Sequence, residues 1–255
     1  MTQHSSQHTP SVEKAQPVWV VTGAAGTLGQ ALVQRVLADG GECVAIDKNL
    51  SGLEALSDQA QRAGRARPLI HPLDLAGATL QDLYDTADAI GDAVGSINHL
   101  VHAAGAFKAM RPLLHQPPQE WLELTQVGIH APLFLTQRLT QYFSGQPRDS
   151  IVWVVDPAPT SQPAHWGAYG LVQQAQRWMA ATLDQEIGPK GPRVVTWQPP
   201  TFYSPISAQA WPARAQSEYA ELAPLIEQLM GQIQASDDTP PIDSQNSNTQ
   251  KARHE

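Results

Sequence analysis

The sequence predicts an α/β fold in which helices cover both faces of a doubly wound parallel sheet. Three observations support this prediction. Short β-branched apolar runs alternate with longer segments of helical periodicity. The first run leads into a glycine-rich turn, and residues 17–235 contain no internal repeat or linker. Six strands joined by crossover helices favour the sheet order 3-2-1-4-5-6 in a single domain.

The elements follow one another in regular alternation along the chain. The predicted strands are Val18–Thr22, Glu42–Asp47, Pro68–Pro72, His99–His102, Ser150–Val155 and Arg193–Trp197. Helical periodicity fills the intervals, and the predicted helices are Leu28–Ala38, Ser51–Ala63, Thr79–Val94, Pro118–Phe143, Gly167–Ile187 and Glu218–Gln234. No strand pattern follows Gly231, so the sixth strand is expected to leave an open edge or to be covered by a loop.

The two ends of the chain differ in composition from its middle. Residues 1–16 are polar without periodicity, and Ile242 is the single branched aliphatic residue in 236–255. Such segments bury too little apolar surface to offset the entropy lost on ordering. We therefore expect disordered tails at 1–16 and 236–255, flanking one domain at 17–235.

Composition excludes several classes of function. With 24 acidic and 16 basic residues the formal net charge is -8, which disfavours nucleic-acid binding. The single cysteine, Cys43, requires no oxidising compartment. The sequence has neither the apolar core of a signal peptide nor the roughly 18 apolar residues of a membrane span. We expect a cytoplasmic protein with no membrane or nucleic-acid partner and no metal site.

A glycine-rich turn follows the first predicted strand. It reads T-G-A-A-G-T-L-G, with Gly23, Gly26 and Gly29 before an amphipathic helix. Glycine lets backbone approach a pyrophosphate, and the helix N-terminus offers it free N–H groups. Asp47 ends the second strand, where a carboxylate can accept hydrogen bonds from a ribose diol. Because the Asp47 carboxylate would repel the 2′-phosphate of NADP, this Rossmann-type pattern favours NAD, although Lys48 weakens the preference. The alternative to a dinucleotide site is a tight turn in which Asp47 is a solvated loop residue.

Four motifs carry a resemblance to a known family. They are T-G-A-A-G-T-L-G at 22–29, L-D-L at 73–75, V-H-A-A-G at 101–105 and W-G-A-Y at 166–169. Over residues 17–205 the chain resembles the short-chain dehydrogenase/reductase family, and 119–137 is closest to its YciK-like bacterial branch. The resemblance implies a dinucleotide site formed by Gly23, Gly26, Thr27, Leu28, Gly29, Asp47, Asp74, Leu75, Ala103, Ala104, Gly105, Tyr169 and Pro199. Asp74 would bind the adenine amino group, and Pro199 would face the nicotinamide.

The resemblance also implies hydride transfer with a tyrosine as general acid/base, here Tyr169. A lysine four residues later ordinarily lowers the tyrosine pKa, but Gln173 stands there. Asp156 occupies the position of the family's serine and Gly128 that of its asparagine. If the ammonium shifts the tyrosine pKa by about three units, its loss is worth roughly 4 kcal/mol. Dehydrogenase turnover is therefore expected to be absent or very slow.

Other residues could substitute for the missing groups. His165 could share a helix face with Tyr169, His102 ends the fourth strand, and Lys108 follows the A-A-G turn, whereas His130 is expected to face elsewhere. Each is more often a solvated or capping side chain, and Arg177 cannot exchange protons near neutral pH.

Three hypotheses about function therefore remain. The first is an impaired NAD(P)-binding protein acting as a sensor, scaffold or silent subunit. The second is an active NAD(P)-dependent oxidoreductase acting on a small carbonyl or alcohol through Tyr169 and a non-standard helper. The third is an interaction module that binds no dinucleotide.

Three further expectations concern surfaces and packing. In the resembling family the helices at 118–143 and 167–187 pair across a two-fold axis, so a homodimer is expected. The segment Thr201–Trp211 lies where the family keeps its substrate lid. Four tryptophans that cluster in the second half of the chain are expected to be core more often than pocket or subunit contact; they are Trp166, Trp178, Trp197 and Trp211.

Overall fold

The computed structural model describes residues 16–234 and contains one six-stranded parallel sheet with the order β3-β2-β1-β4-β5-β6. The predicted fold class and sheet order are confirmed. The strands are β1 Val18–Thr22, β2 Glu42–Asp47, β3 Leu69–Pro72, β4 His99–His102, β5 Ser150–Val154 and β6 Arg193–Trp197. The tails expected at 1–16 and 236–255 lie outside the described residues, apart from Gln16.

Helices cover both faces of the sheet. They are α1 Thr27–Ala38, α2 Leu50–Arg62, α3 Leu80–Val94, α4 Pro118–Thr125, α5 Ala131–Leu139, α6 Ala158–Ser161, α7 Gly167–Ile187, α8 Pro205–Ala210 and α9 Leu222–Gln234. The central strands are apolar on both faces because both faces are buried. Trp19 and Val21 pack with α1, α2 and α9. Val18 and Val20 pack with α3, α5 and α7.

The long helix predicted at 118–143 is interrupted. A π turn at Gln126–His130 separates α4 from α5, and the chain continues as a 3-10 turn at Thr140–Tyr142. The cause is Pro132, because proline has no N–H for the carbonyl four residues earlier, and its ring clashes with that carbonyl. That carbonyl belongs to Gly128, and the Gln176 amide donates to it over 3.0 Å. The sequence signal for this interruption was Pro132, which lies inside the predicted helix.

The last helix begins later than predicted. Ala220 N–H donates to the Thr201 carbonyl over 2.9 Å, and Phe202 and Ala220 form a parallel bridge. This extended pairing keeps the chain before Leu222 out of the helix. Within residues 16–234 no helix is both long and apolar enough to cross a membrane.

The topology places a crevice where the direction of strand succession reverses, between β1 and β4. In open α/β sheets, ligands bind outside the carboxyl ends of the strands at such a point. Here the two strand ends are joined, since the Ala104 N–H donates to the Thr22 hydroxyl over 3.3 Å.

Candidate active site

A cavity of about 340 Å³ opens at the carboxyl ends of the central strands. Every residue of the expected dinucleotide site borders it, from the glycine-rich turn through Asp74, Leu75 and the A-A-G turn to Pro199. Tyr169, Asp156, Gly128 and Gln173, which take the four catalytic positions of the resembling family, border it as well.

The glycine-rich turn is packed too closely for side chains at two of its glycines. Gly23 has φ +70°, and a Cβ there would lie 2.7 Å from the backbone N of Ala104. A Cβ on Gly29 would lie 2.1 Å from the Gly23 carbonyl oxygen. Internal packing alone therefore accounts for these two residues.

The beginning of α1 also provides donors. Its N-cap residue is Gly26, so no side chain caps the first N–H groups of the helix. The first hydrogen bond within the helix runs from the Gln30 N–H to the Gly26 carbonyl over 2.9 Å. The N–H groups of Thr27, Leu28 and Gly29 precede that bond and have no partner within the helix. Such a helix start fits an anionic pyrophosphate.

Asp47 links the end of β2 to the glycine-rich turn. Its Oδ2 accepts the Ala25 N–H over 3.0 Å, and its Oδ1 accepts the Asn49 N–H over 2.9 Å. Both bonds hold the carboxylate at the rim of the cavity that it borders. Lys48 borders the same rim. A fixed carboxylate beside the turn is what a ribose diol requires.

Tyr169 is buried between aromatic rings on the first turn of α7. The Phe107 ring meets it edge-on, with centroids 5.3 Å apart, and the Trp166 ring lies 5.5 Å away. Its hydroxyl donates a hydrogen bond to Asp156 Oδ2 over 3.0 Å. The other carboxylate oxygen of Asp156 accepts the Ala158 N–H over 2.8 Å.

These surroundings hold the proton on Tyr169. Burial raises the pKa of Tyr169 well above its ordinary value, and the charge and hydrogen bond of Asp156 raise it further. Gln173, one turn along α7, uses its Oε1 to accept the Asp156 N–H over 2.7 Å. The position that carries an ammonium in the resembling family therefore holds a neutral amide that fixes the backbone of Asp156.

Gly128 has no room for an asparagine side chain. A Cβ there would lie 2.2 Å from Val172 Cγ1, and a valine side chain rotates with difficulty about χ1. Its carbonyl oxygen already accepts the Gln176 amide. Val172 and Gln176 thus occupy the space and the hydrogen-bonding capacity of this position.

The residues considered as substitute helpers are engaged elsewhere. Lys108 Nζ forms an ion pair with Glu123 Oε1 at 2.6 Å. Arg177 donates to Gln198 over 2.8 Å. His165 is exposed with φ +71° and precedes α7, so it does not share a helix face with Tyr169.

The other two histidines considered as helpers, His102 and His130, do not border the cavity. His102 is buried, with Nε2 2.7 Å from Thr136 Oγ1 on α5. Burial lowers the pKa of His102 to about 3, so the ring is neutral. His130 is exposed and stacks near Phe134 with centroids 6.3 Å apart. Its expected orientation away from the site agrees with this position.

Several lining residues were not singled out from the sequence. Ile206 and Glu123 border the cavity, and Ile206 Cδ1 would lie 3.3 Å from a Cβ on Gly105. Ile206 belongs to α8, which lies within the segment expected to form a lid. The signal was S-P-I-S at 204–207, because Ser204 and Ser207 form a capping box around a first-turn proline.

The tryptophans divide between core and surface. Trp166 and Trp197 are buried and Trp211 borders the cavity, whereas Trp178 is 68% exposed. Among residues 16–234 no group of three or more His, Cys, Asp or Glu side chains could hold a metal ion.

Comparison with known proteins identifies the family. The sequence matches the short chain dehydrogenase family over residues 17–215. The "Uncharacterized oxidoreductase YciK" of Escherichia coli K12 is 25% identical over 215 residues, covering 83% of this chain and 85% of that protein.

Two solved structures share the fold. A short chain dehydrogenase from Pseudomonas syringae superimposes with a TM-score of 0.80 at 26% identity, over 85% of this chain and 88% of the other. One from Shigella flexneri 2a, in complex with NADP, gives 0.80 at 22% identity, over 85% and 90%. The expected resemblance, including its YciK-like character, is confirmed, and this chain belongs to the short-chain dehydrogenase/reductase family.

Proposed function

We propose that this protein binds a nicotinamide dinucleotide in its central cavity and is impaired as a carbonyl or alcohol dehydrogenase. The impaired activity is inferred from one observation, the hydrogen bond from the Tyr169 hydroxyl to Asp156. A dinucleotide bound there would supply or accept hydride. The open N–H groups at the start of α1 would hold its pyrophosphate, and Asp47 its adenosine ribose.

Impairment follows from the charges around Tyr169. Carbonyl reduction needs a proton donor for the developing alkoxide, and alcohol oxidation needs a base for the hydroxyl proton. A tyrosine whose pKa is raised performs both steps poorly near neutral pH. The Asp156 carboxylate beside it also disfavours negative charge on a substrate oxygen.

We propose NAD as the preferred dinucleotide. A 2′-phosphate on the adenosine ribose would meet the Asp47 carboxylate, which two backbone N–H groups hold in place. The related structure from Shigella flexneri contains NADP, and Lys48 beside Asp47 offers some compensation for a phosphate. The preference therefore depends on the charge of one side chain, which makes it testable.

The experiment is a titration of NADH and of NADPH followed by tryptophan quenching and energy transfer. We expect NADH to bind more tightly than NADPH to the wild-type protein. Asp47→Asn keeps an oxygen that can accept the Ala25 N–H but removes the negative charge. It should raise the affinity for NADPH relative to that for NADH at least tenfold. Asp92→Asn on α3 is the matched control. Equal affinities would overturn the NAD preference, and no signal with either dinucleotide would overturn the proposed function.

We also propose a cytoplasmic homodimer that pairs through α4, α5 and α7. Apolar side chains are exposed on this part of the surface: Leu122 by 61%, Leu171 by 42% and Trp178 by 68%. Leu171 and Trp178 are seven residues apart on α7 and therefore share a face. Large exposed apolar groups that cluster in this way are typical of a subunit contact.

A further inference from the structure

The end of the cavity that holds Asp156, Tyr169 and Trp211, here called the reacting end, is negatively charged. The two hydrogen bonds that Asp156 oxygens accept come from the Tyr169 hydroxyl and the Ala158 N–H, which are both neutral donors. Asp156 itself is half-buried and borders the cavity. A carboxylate in this setting favours a positively charged neighbour over a neutral or negative one.

The basic side chains that border the cavity do not lie at this end. Among the residues of 16–234 that border the cavity, Lys48 is the one lysine, arginine or histidine, and it follows β2. Three strand spacings separate β2 from β5, which is about 14 Å. Lys108 is paired with Glu123. A ligand that binds at this end can therefore bring the positive charge that complements Asp156.

The walls of the reacting end are aromatic. Tyr169 and Trp211 border the cavity, and the Trp166 ring supports both of them, with centroids 5.5 Å and 5.4 Å away. Arg214 stacks on Trp211 at 4.7 Å but does not border the cavity. Aromatic faces together with a carboxylate suit an organic cation better than a neutral carbonyl compound.

We propose that the reacting end takes a cationic nitrogen compound in place of a neutral alcohol or carbonyl compound, with an iminium ion as the substrate that is reduced and a protonated amine as a ligand of the same charge. The proposal rests on the proposed function, because the bound, reduced dinucleotide is the hydride donor. The Asp156 carboxylate would act as counter-ion to the nitrogen, and Tyr169 would hold that carboxylate through its hydroxyl.

This substrate class removes the need for the missing proton donor. The iminium carbon accepts hydride with its electron pair from the reduced dinucleotide, and the C=N π electrons become the nitrogen lone pair. The iminium ion is reduced to a neutral amine, the dinucleotide is oxidised, and charge balances without a proton from the protein. A protonated Tyr169 without a lysine partner is compatible with this step. The same tyrosine is a poor proton donor for the alkoxide that forms when a carbonyl compound is reduced.

The test compares ligands of one shape that differ in charge. Benzylammonium and benzyl alcohol are titrated by calorimetry into the protein with and without saturating NADH or NADPH. We expect benzylammonium to bind at least tenfold more tightly than benzyl alcohol. Asp156→Asn should abolish that difference, while the control Asp92→Asn should preserve it. Dinucleotide binding, measured by fluorescence on the same samples, reports that each variant is folded.

The hydride step is tested with N-methyl-3,4-dihydroisoquinolinium, whose charge does not depend on pH. Oxidation of NADH or NADPH should exceed the rate without protein and should fall at least tenfold in Asp156→Asn. A rate equal to that without protein would overturn this step.

The outcomes separate this proposal from the one on which it rests. Dinucleotide binding with equal affinity for the two benzyl compounds would overturn the cationic substrate class alone. No dinucleotide binding, with a benzylammonium preference that depends on Asp156, would overturn the proposed function while supporting the cation site. Unchanged benzylammonium affinity in Asp156→Asn would overturn the role of that carboxylate.

Discussion

The Tyr169 hydroxyl donates a hydrogen bond to Asp156 Oδ2 over 3.0 Å, and the two residues are thirteen positions apart in the chain. Asp156 follows β5, and Tyr169 lies on α7 at the same end of the sheet. The Gln173 side chain, one turn beyond Tyr169, completes the arrangement by accepting the Asp156 N–H. Tyr169 and the two residues that diverge from the family pattern, Asp156 and Gln173, thus form one hydrogen-bonded unit.

The first prediction concerns the titration of Tyr169. Because its pKa is raised in the folded protein, this group's stabilising contribution is fully present below pH ~10 and is lost as pH rises toward the folded pKa. The free energy of unfolding of the wild type should therefore fall more steeply above pH 10 than that of Tyr169→Phe. Urea titrations between pH 8 and 11 measure the difference, and parallel pH profiles would contradict it.

The second prediction concerns the contact between Gly128 and Val172. Gly128→Ala should lower the free energy of unfolding by about 1–3 kcal/mol, because the new Cβ overlaps a stiff valine. In a Val172→Ala background the same change should cost less, because both Cγ atoms are gone and only the Cβ of residue 172 remains, 3.2 Å from the new Cβ. Urea denaturation of the four proteins gives the coupling. Equal effects in both backgrounds would show that Val172 does not fill this space.

The third prediction compares two glycines with nearly the same positive φ. Gly145 has φ +75° and nothing within 4 Å of a Cβ, whereas a Cβ on Gly23 meets the Ala104 backbone at 2.7 Å. Gly145→Ala should cost about 1–2 kcal/mol from backbone strain, and Gly23→Ala about 1–3 kcal/mol more from the overlap. Gly23→Ala should also abolish dinucleotide binding, which Gly145→Ala should retain. Retention of full affinity in Gly23→Ala would contradict the proposed pyrophosphate site.

The fourth prediction concerns the proposed dimer. Trp178→Glu places a charge on the exposed face of α7 and should weaken self-association at least tenfold. Leu80→Glu, at a residue 48% exposed on α3, is the control and should leave association unchanged. Sedimentation velocity over a range of concentrations measures both. A wild-type monomer at high concentration, or a Trp178→Glu dimer, would contradict the interface.

The sequence was sufficient to predict the strands and their order. Their β-branched runs are continuous because both faces of the sheet are buried, and each crossover helix restricts its strand to a parallel neighbour. The glycine-rich turn was equally predictable from its place between a strand and a helix. The role of each glycine in the turn could not be predicted, since the clash that requires glycine at position 23 involves Ala104, which is distant in sequence.

The remaining features depend on contacts between distant segments. The π turn follows from Pro132, but its tolerance depends on the Gln176 amide that reaches the Gly128 carbonyl from another helix. Similarly, the sequence showed that the lysine and serine positions were altered. It did not show that Asp156 binds both Gln173 and Tyr169, because that arrangement requires β5 and α7 to meet.

The most direct test of the impaired proton chemistry is turnover by the double variant Asp156→Ser/Gln173→Lys. It removes the carboxylate that raises the Tyr169 pKa and supplies an ammonium on the same helix face. With saturating dinucleotide and a panel of small ketones and alcohols, we expect a kcat about 10²-fold or more above the wild type. Gln173→Lys alone should gain less, because its ammonium would pair with Asp156. A wild-type protein as fast as the double variant would contradict the account.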